Sequence, residues 1–440
     1  MRPLGIDLFA GAGGMSLGFE QAGFDVAAAV EIDPVHCATH KFNFPDCGVV
    51  ARSVIGLSAD KIRLAAGIGD RKIAVVFGGP PCQGFSLIGQ RCLDDARNKL
   101  VLEFVRLVAE LEADSFVFEN VKGLTLGPQR AFLNELIAAF ARVGYSVRVP
   151  PQVLNAASFN VPQSRERLIV LGARSDAILP RYPKPITAPG ANGDLAATAT
   201  CKEALGDLPD ADAYDYLVEQ DEVFVAKWSR PSPYAAELRV LTEEGWHFGY
   251  RRLWNPHVLT SSMRTEHTGI SRRRFEETKP GEVEPISRFY RLPADGLSNT
   301  LRAGTDAARG AFTSPRPIHY AHPRCITVRE MARLHGFPDW FRFHQTKWHG
   351  ARQIGNAVPP PMARAVASQI MHSLGVKPSR PSGLKPLGDP KLLRMGMREA
   401  AEHFGVAVPI GKRDRKSGTR KRRQEDIEVE RVRSKASTYA

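Results

Sequence analysis

The chain has 440 residues, of which 43% are hydrophobic, enough to bury one large core and a second, smaller one. No apolar run reaches the roughly 20 residues that a bilayer span needs, and the chain enters a strand-like Gly5-Ile6-Asp7-Leu8-Phe9 at once, so a cytoplasmic protein with no leader is expected. The net charge of +13 is uneven, with 17 basic against 8 acidic residues from Lys377 onward, and the six cysteines form no CxxC pair, which argues against a disulfide framework or a structural zinc and for reduced thiols.

In chain order, short β-rich apolar runs alternate with helical stretches up to about residue 172. The strands expected are Gly5 to Phe9, Val26 to Ile32, Ile73 to Phe77 and Ser115 to Phe118; the helices are Met15 to Ala22, Pro34 to Phe42, Arg97 to Leu111 and Gln129 to Val143. Val147 to Val153 and Leu168 to Leu171 read as an antiparallel pair added at the edge. The alternation predicts an α/β domain, a mostly parallel sheet covered on both faces. From about 180 to 287 the chain is rich in Pro, Gly, charge and scattered aromatics, as a separate, irregular region would be. Helical patterns resume at Thr327 to Leu334 and Pro359 to Leu374. Lys377 to Pro390 has linker composition, Leu392 to Phe404 could form a short amphipathic helix, and a basic tail follows.

Two local patterns carry chemistry. The loop Asp7-Leu8-Phe9-Ala10-Gly11-Ala12-Gly13-Gly14 lies between the first strand and first helix, and Glu31 ends the second strand, twenty residues after Gly11. That placement lets a carboxylate accept from both hydroxyls of a ribose. Position 16 is Ser, so the strict dinucleotide fingerprint is absent and a nucleoside without phosphates, such as S-adenosylmethionine, is favoured. The second pattern is Gly78-Gly79-Pro80-Pro81-Cys82-Gln83-Gly84-Phe85-Ser86 at the exit of the third strand. Two prolines restrict where the thiol can stand, and the glycines admit other groups close to the backbone.

Taken with Phe118-Glu119-Asn120-Val121, Gln163-Ser164-Arg165-Glu166-Arg167, Arg329 to Pro338 and Arg352-Gln353-Ile354-Gly355-Asn356-Ala357-Val358-Pro359, these blocks resemble the ordered motifs of the DNA (cytosine-5) methyltransferases of bacterial restriction-modification type. The likeness covers roughly residues 5 to 172 and 288 to 372. It implies a Rossmann-like, S-adenosylmethionine-dependent methyltransferase fold: a catalytic and cofactor-binding domain at 1–178, a target-recognition domain at 179–287, a return to the catalytic domain at 288–375, and a linker, short helix and basic tail at 376–440. It also implies roles. Cys82 is the nucleophile at C6 of a flipped-out cytosine and Glu119 the acid at N3, with Arg167 facing the base carbonyl and Arg165 supporting the cysteine. The cofactor is S-adenosylmethionine, held by Phe9, Gly11, Ala12, Gly14, Glu31, Ile32, Val54, Pro80, Leu100, Asn356 and Ala357. Asn356 closes that site as the following helix packs beside the first strand.

Gln83, Ser86 and Arg91, in a lid from Gln83 to Arg97, are implied DNA contacts. Where the family commonly has an aspartate reading adenine, this chain has Ser53-Val54, which removes the carboxylate. The resemblance implies double-stranded DNA as partner, a cognate restriction endonuclease, no metal, a monomer, and a nucleoid-associated protein. Arginines of the recognition region such as Arg251-Arg252, near Trp246-His247, are candidates for reading guanines, and Arg272-Arg273-Arg274 for phosphates or a solvated helix face. Two alternatives stand: the RNA-methylating branch, whose Pro-Phe-Thr and Cys-Phe-Thr signals are absent, and a non-catalytic protein of the same fold.

Overall fold

Leu4-Gly5-Ile6-Asp7-Leu8 is buried throughout and forms β1 (Leu4–Leu8). The computed structural model describes residues 2–81, 99–125, 129–191, 193–304 and 316–408. Cys82, Gln83, Ser86 and Arg91, with the expected lid, lie outside them. The chain continues through α1 (Gly14–Ala22), β2 (Asp25–Glu31), α2 (Pro34–Asn43), β3 (Gly48–Ala51), α3 (Ala59–Ala66), β4 (Ile73–Gly78), α4 (Lys99–Glu110), β5 (Ser115–Val121), α5 (Gln129–Arg142), β6 (Tyr145–Val147), β7 (Gln152–Asn155) and β8 (Glu166–Arg174).

The strand order is β3-β2-β1-β4-β5-β8-β6, with β7 also paired to β8. Strands β3, β2, β1, β4 and β5 are mutually parallel, and β8 runs antiparallel to β5, β6 and β7. The stretch Val147 to Val153, expected as one strand, is two. Pro150 and Pro151 have no N–H to give a ladder, so the pairing breaks between β6 and β7. β3 and α3 are additions to the expected elements: β3 has only four residues, and α3 buries only Ala59 and Ile62, too little apolar signal to show a period.

One face of the sheet packs Ile6, Val76, Phe116 and Phe118 against α3, α4 and α5; the other packs Phe77, Val117 and Ile169 against α1 and α11 (below). The register aligns the strand ends. Leu8 pairs with Val30 and Gly78, Gly78 with Phe118, and Val121 with Arg167. The carboxyl ends of β1, β2, β4 and β5 and the amino end of the reversed β8 therefore share one edge, where ligands of such sheets bind.

Beyond the sheet come β9 (Thr187–Ala188), β10 (Ala196–Ala197), α6 (Cys201–Leu205), β11 (Val223–Phe224), α7 (Pro233–Leu238), β12 (Arg251–Arg252), β13 (Val258–Leu259), α8 (Gly269–Glu277), α9 (Val328–Leu334), α10 (Lys347–Asn356), α11 (Pro360–Ser373), β14 (Leu384–Lys385) and α12 (Met397–His403). Among the described residues from β9 to α8 no strand or α-helix exceeds nine residues, which matches the irregular pattern of the sequence there. Leu205, Tyr234 and Leu238 pack with Leu301, Met331, Phe337 and Phe341 in one core that also takes in Leu17 of α1 and Phe44 at the end of α2. Where one helix was expected at Leu392 to Phe404, a 3₁₀ turn at Pro390–Leu393 precedes α12.

Candidate active site

β5 runs past Phe118 to Val121, so Glu119 and Asn120 belong to the ladder, Glu119 opposite Ile169. Glu119 Oε1 lies 2.9 Å from Arg167 Nε. A Cβ on Gly79 would stand 2.4 Å from Glu119 Oε2, so only glycine lets the carboxylate sit over the exit of β4. Asn120 Nδ2 donates to Pro80 O at 3.1 Å and fixes the buried proline two residues before Cys82. Burial pushes the Glu119 pKa above the usual carboxylate range, outweighing the opposing pull of Arg167 and Arg165.

The structure gives Arg165 and Arg167 different surroundings. Arg165 precedes β8 and is 1% exposed, donating to Leu301 O at 2.9 Å, Gly355 O at 2.8 Å and Ala357 O at 2.9 Å. Arg167 keeps the carboxylate; Arg165 is a strut. Gln163 works beside it, donating to Leu334 O (3.2 Å) and His335 Nδ1 (3.0 Å) and accepting from Leu301 N–H (3.1 Å). His335 Nε2 in turn donates to Ala357 O at 3.0 Å. Gln163 and His335 both fall within the family-like motifs, but nothing in their spacing identifies them as the link to residues 301 and 357.

The second constellation is the glycine loop. Gly11 N–H donates to Glu31 Oε2 and Asp33 N–H to Oε1, each at 2.9 Å, which leaves each carboxylate oxygen a further lone pair for a ribose hydroxyl. Ile32 is 59% exposed beside it, an apolar platform of the kind a purine takes. Phe9 turns at φ 66° and both its N–H and that of Ala10 donate to Val30 O. A Cβ on Gly14 would meet Val358 O at 2.6 Å and Ala357 Cβ at 2.9 Å, so the segment that follows α10 and the exposed Asn356 is seated on the loop. Ala12 is buried beneath it; Val54 is core, packed with the half-buried Leu100 in one cluster. Ser53 Oγ accepts from Ile55 N–H at 3.2 Å and so shapes its own turn. A carboxylate with free lone pairs beside an exposed apolar side chain fits a nucleoside.

Behind the loop lies a polar chain that no local sequence pattern signals. Ser16 Oγ donates to Asp7 Oδ2 at 2.6 Å and lies 3.0 Å from His40 Nε2, all three buried. Burial, opposed by the Ser16 hydrogen bond and aided by Glu31, pushes Asp7 up to about 8; burial, with Lys41, pulls His40 down to about 3.

Several arginines of the recognition region are not available to bases. Arg252 is 3% exposed, paired with Glu20 at 2.7 Å and donating to Asn43 O at 3.3 Å, and Trp246 stacks on Trp340. His247 pairs with Glu237, whereas Arg251 stays exposed, 3.4 Å from Glu243. In α8, Arg272 holds Asp212 at 2.7 Å and Arg274 lies 3.6 Å from Glu284, while Arg273 is exposed.

Residues 4–372 match the model of the C-5 cytosine-specific DNA methylase family. The chain belongs to that family. It is 56% identical over 409 residues to the Type II methyltransferase M.XorII of Xanthomonas oryzae pv. oryzae, covering 93% of this chain and 94% of that one. Identity to M1.HphI of Haemophilus parahaemolyticus is 34%, over 83% and 86% of the two chains. A solved structure described as a DNA modification methyltransferase encoded within a prophage of E. coli superposes with a TM-score of 0.66 at 32% identity, covering 85% of this chain and 99% of its own. This DNA cytosine-5 methyltransferase is thus of the restriction-modification type, and the RNA-methylating and non-catalytic alternatives fall away.

Proposed function

We propose that the enzyme methylates C5 of a cytosine swung out of duplex DNA, through a covalent bond between Cys82 and C6. The observation that carries this is the Glu119–Arg167 pair, which stands beside Gly79 at the point where the chain enters the Pro80-Pro81-Cys82 loop. Cytosine C5 is a poor nucleophile, so the thiolate of Cys82 adds to C6 and the ring's electrons shift to C5. Glu119, whose proton affinity burial raises, delivers a proton at N3 as this happens. Arg167 orients that carboxyl and carries positive charge toward the base carbonyl.

S-adenosylmethionine, when bound, supplies the electrophilic methyl group. Glu31 would hold its ribose, Ile32 its adenine, and the Gly11 to Gly14 loop with Asn356 would enclose the rest. After transfer, solvent takes the C5 proton as the C6–S bond breaks and the C5–C6 double bond re-forms, and N3 returns its proton to Glu119, which restores the active site. Arg165 takes the positioning part described above. Gln83, Ser86 and Arg91 stay candidate DNA contacts. Because relatives carry the name Type II methyltransferase, we also infer a cognate endonuclease of the same sequence specificity.

Bisulfite sequencing of DNA from cells expressing the wild type would give target base and context together. In a tritiated-methyl assay on that DNA, Cys82→Ala is expected to show no transfer while still binding S-adenosylmethionine. Retained transfer would refute the covalent mechanism.

A further inference from the structure

The family match ends at residue 372, yet the chain continues as packed structure to residue 408. It does not behave as the linker its composition predicts. Ser379 O accepts from Arg2 Nη1 at 2.9 Å, and β14 then pairs with β12, Leu253 N–H donating to Lys385 O at 2.8 Å. Lys385 reaches Asp46 and lies over the Tyr250 ring. Gly388 N–H donates to Phe42 O at 2.8 Å, and Leu392 and Leu393 bury themselves against Ala38 and Phe42 on the outer side of α2. Leu393 O accepts from Gln345 N–H at 3.0 Å. His344 Nδ1 accepts from Thr346 N–H at 3.1 Å, so its Nε2 carries the proton and donates to Met395 O at 3.1 Å. α12 finally lies along α2.

The two bodies bridged in this way both lead to the glycine loop. α2 begins at Pro34, directly after Glu31, Ile32 and the N-cap Asp33. Residues 344–346 run into α10, which ends at Asn356 and is followed by the Ala357 and Val358 that press on Gly14. We propose that residues 377–404 are a positioning strap for the cofactor site, holding α2 and α10 at the spacing at which Glu31-Ile32 and Asn356-Ala357 close on one nucleoside. This rests on reading that edge as the S-adenosylmethionine site. Linkage makes the effect reciprocal: if the strap favours the closed site, cofactor must favour the docked strap.

The test is S-adenosylmethionine binding by calorimetry on four proteins: the full chain, a chain ending at Val408, Leu393→Asp and Leu393→Met. The full chain and the Val408 form should agree within twofold, Leu393→Asp should bind at least 10-fold more weakly, and Leu393→Met should return to within threefold of wild type. A Leu393→Asp protein that melts within a few degrees of wild type and binds within twofold of it overturns the proposal. Should that variant not fold, hydrogen exchange on the wild-type chain decides. Saturating cofactor should slow exchange in 388–395 together with 33–43, and slowing confined to 33–43 overturns the strap. A wild-type chain that binds no S-adenosylmethionine refutes the cofactor reading itself, and the strap's role with it.

Discussion

The sheet edge and the seam where α9 meets residues 179–287 use charge in opposite ways. At the edge, one carboxylate and one arginine meet at 2.9 Å, and burial leaves Glu119 short of full compensation. At that seam α9 presents Arg329 and Arg333, both fully buried, to complete sets of partners: Arg333 to Asp339 at 2.6 Å and Asp207 at 3.1 Å, Arg329 to Thr260 O at 3.0 Å and Phe341 O at 2.8 Å. Arg324 closes a third set with Glu330 at 2.8 Å and Asp210 at 3.2 Å. A charge left partly unsatisfied is available for chemistry; a fully satisfied one fixes shape.

Substitutions should separate the two uses. The largest effect expected is from Glu119→Gln, which keeps the shape but removes the titrating proton: kcat for methyl transfer should fall by about 10³-fold with the melting temperature nearly unchanged. A loss below tenfold would take the carboxyl out of the chemistry. Arg333→Met should do the reverse, leaving Asp207 and Asp339 buried without their main partner. Urea unfolding should show a loss of about 3 to 5 kcal/mol, with kcat within a few fold below the transition; a loss under 1 kcal/mol would mean that these buried ion pairs are not a stabilising element.

Asp7 sharpens the comparison at the edge itself, as a buried carboxyl with a hydroxyl partner and no cation. Its pKa is raised to about 8 in the fold against 3.8 unfolded, so between those values the folded state holds a proton that the unfolded state has lost. Its contribution is therefore most favourable below pH 4 and is lost as pH rises toward 8. Asp7→Asn removes this dependence, and its stability relative to wild type should improve by about 2 kcal/mol or more between pH 5 and pH 8.5, measured by urea unfolding at each pH. A difference independent of pH would mean that Asp7 is ionised in the fold.

The edge was legible in the sequence because backbone rules build it. Glu31 follows Gly11 at the spacing a β-turn-helix-β unit dictates, glycines mark the close approaches, and α9 falls where the helical pattern of Thr327 to Leu334 puts it, the structure adding a capping box of Thr327 with Glu330. What stayed hidden depends on residues far apart in the chain. Arg252 finds Glu20 across 232 positions, and Arg165 finds Gly355 across 190. No local pattern distinguishes an arginine that meets a buried carboxylate from one that meets a phosphate. The 377–404 strap was hidden for a related reason: Pro, Gly and Ser describe how a segment bends, while docking on α2 depends on two leucines and a few backbone groups.

The central claim is that this edge holds a cytosine between Glu119 and Cys82 so that the thiol can add to it. It is tested most directly by incubating the enzyme and S-adenosylmethionine with its target duplex carrying 5-fluorocytosine at the methylated position, where a fluorine at C5 blocks the final elimination. The account expects a denaturation-resistant enzyme–DNA adduct in near-stoichiometric yield, mapping to Cys82 by peptide mass and absent from Cys82→Ala. No adduct with the wild type, or an adduct that survives in Cys82→Ala, would contradict it.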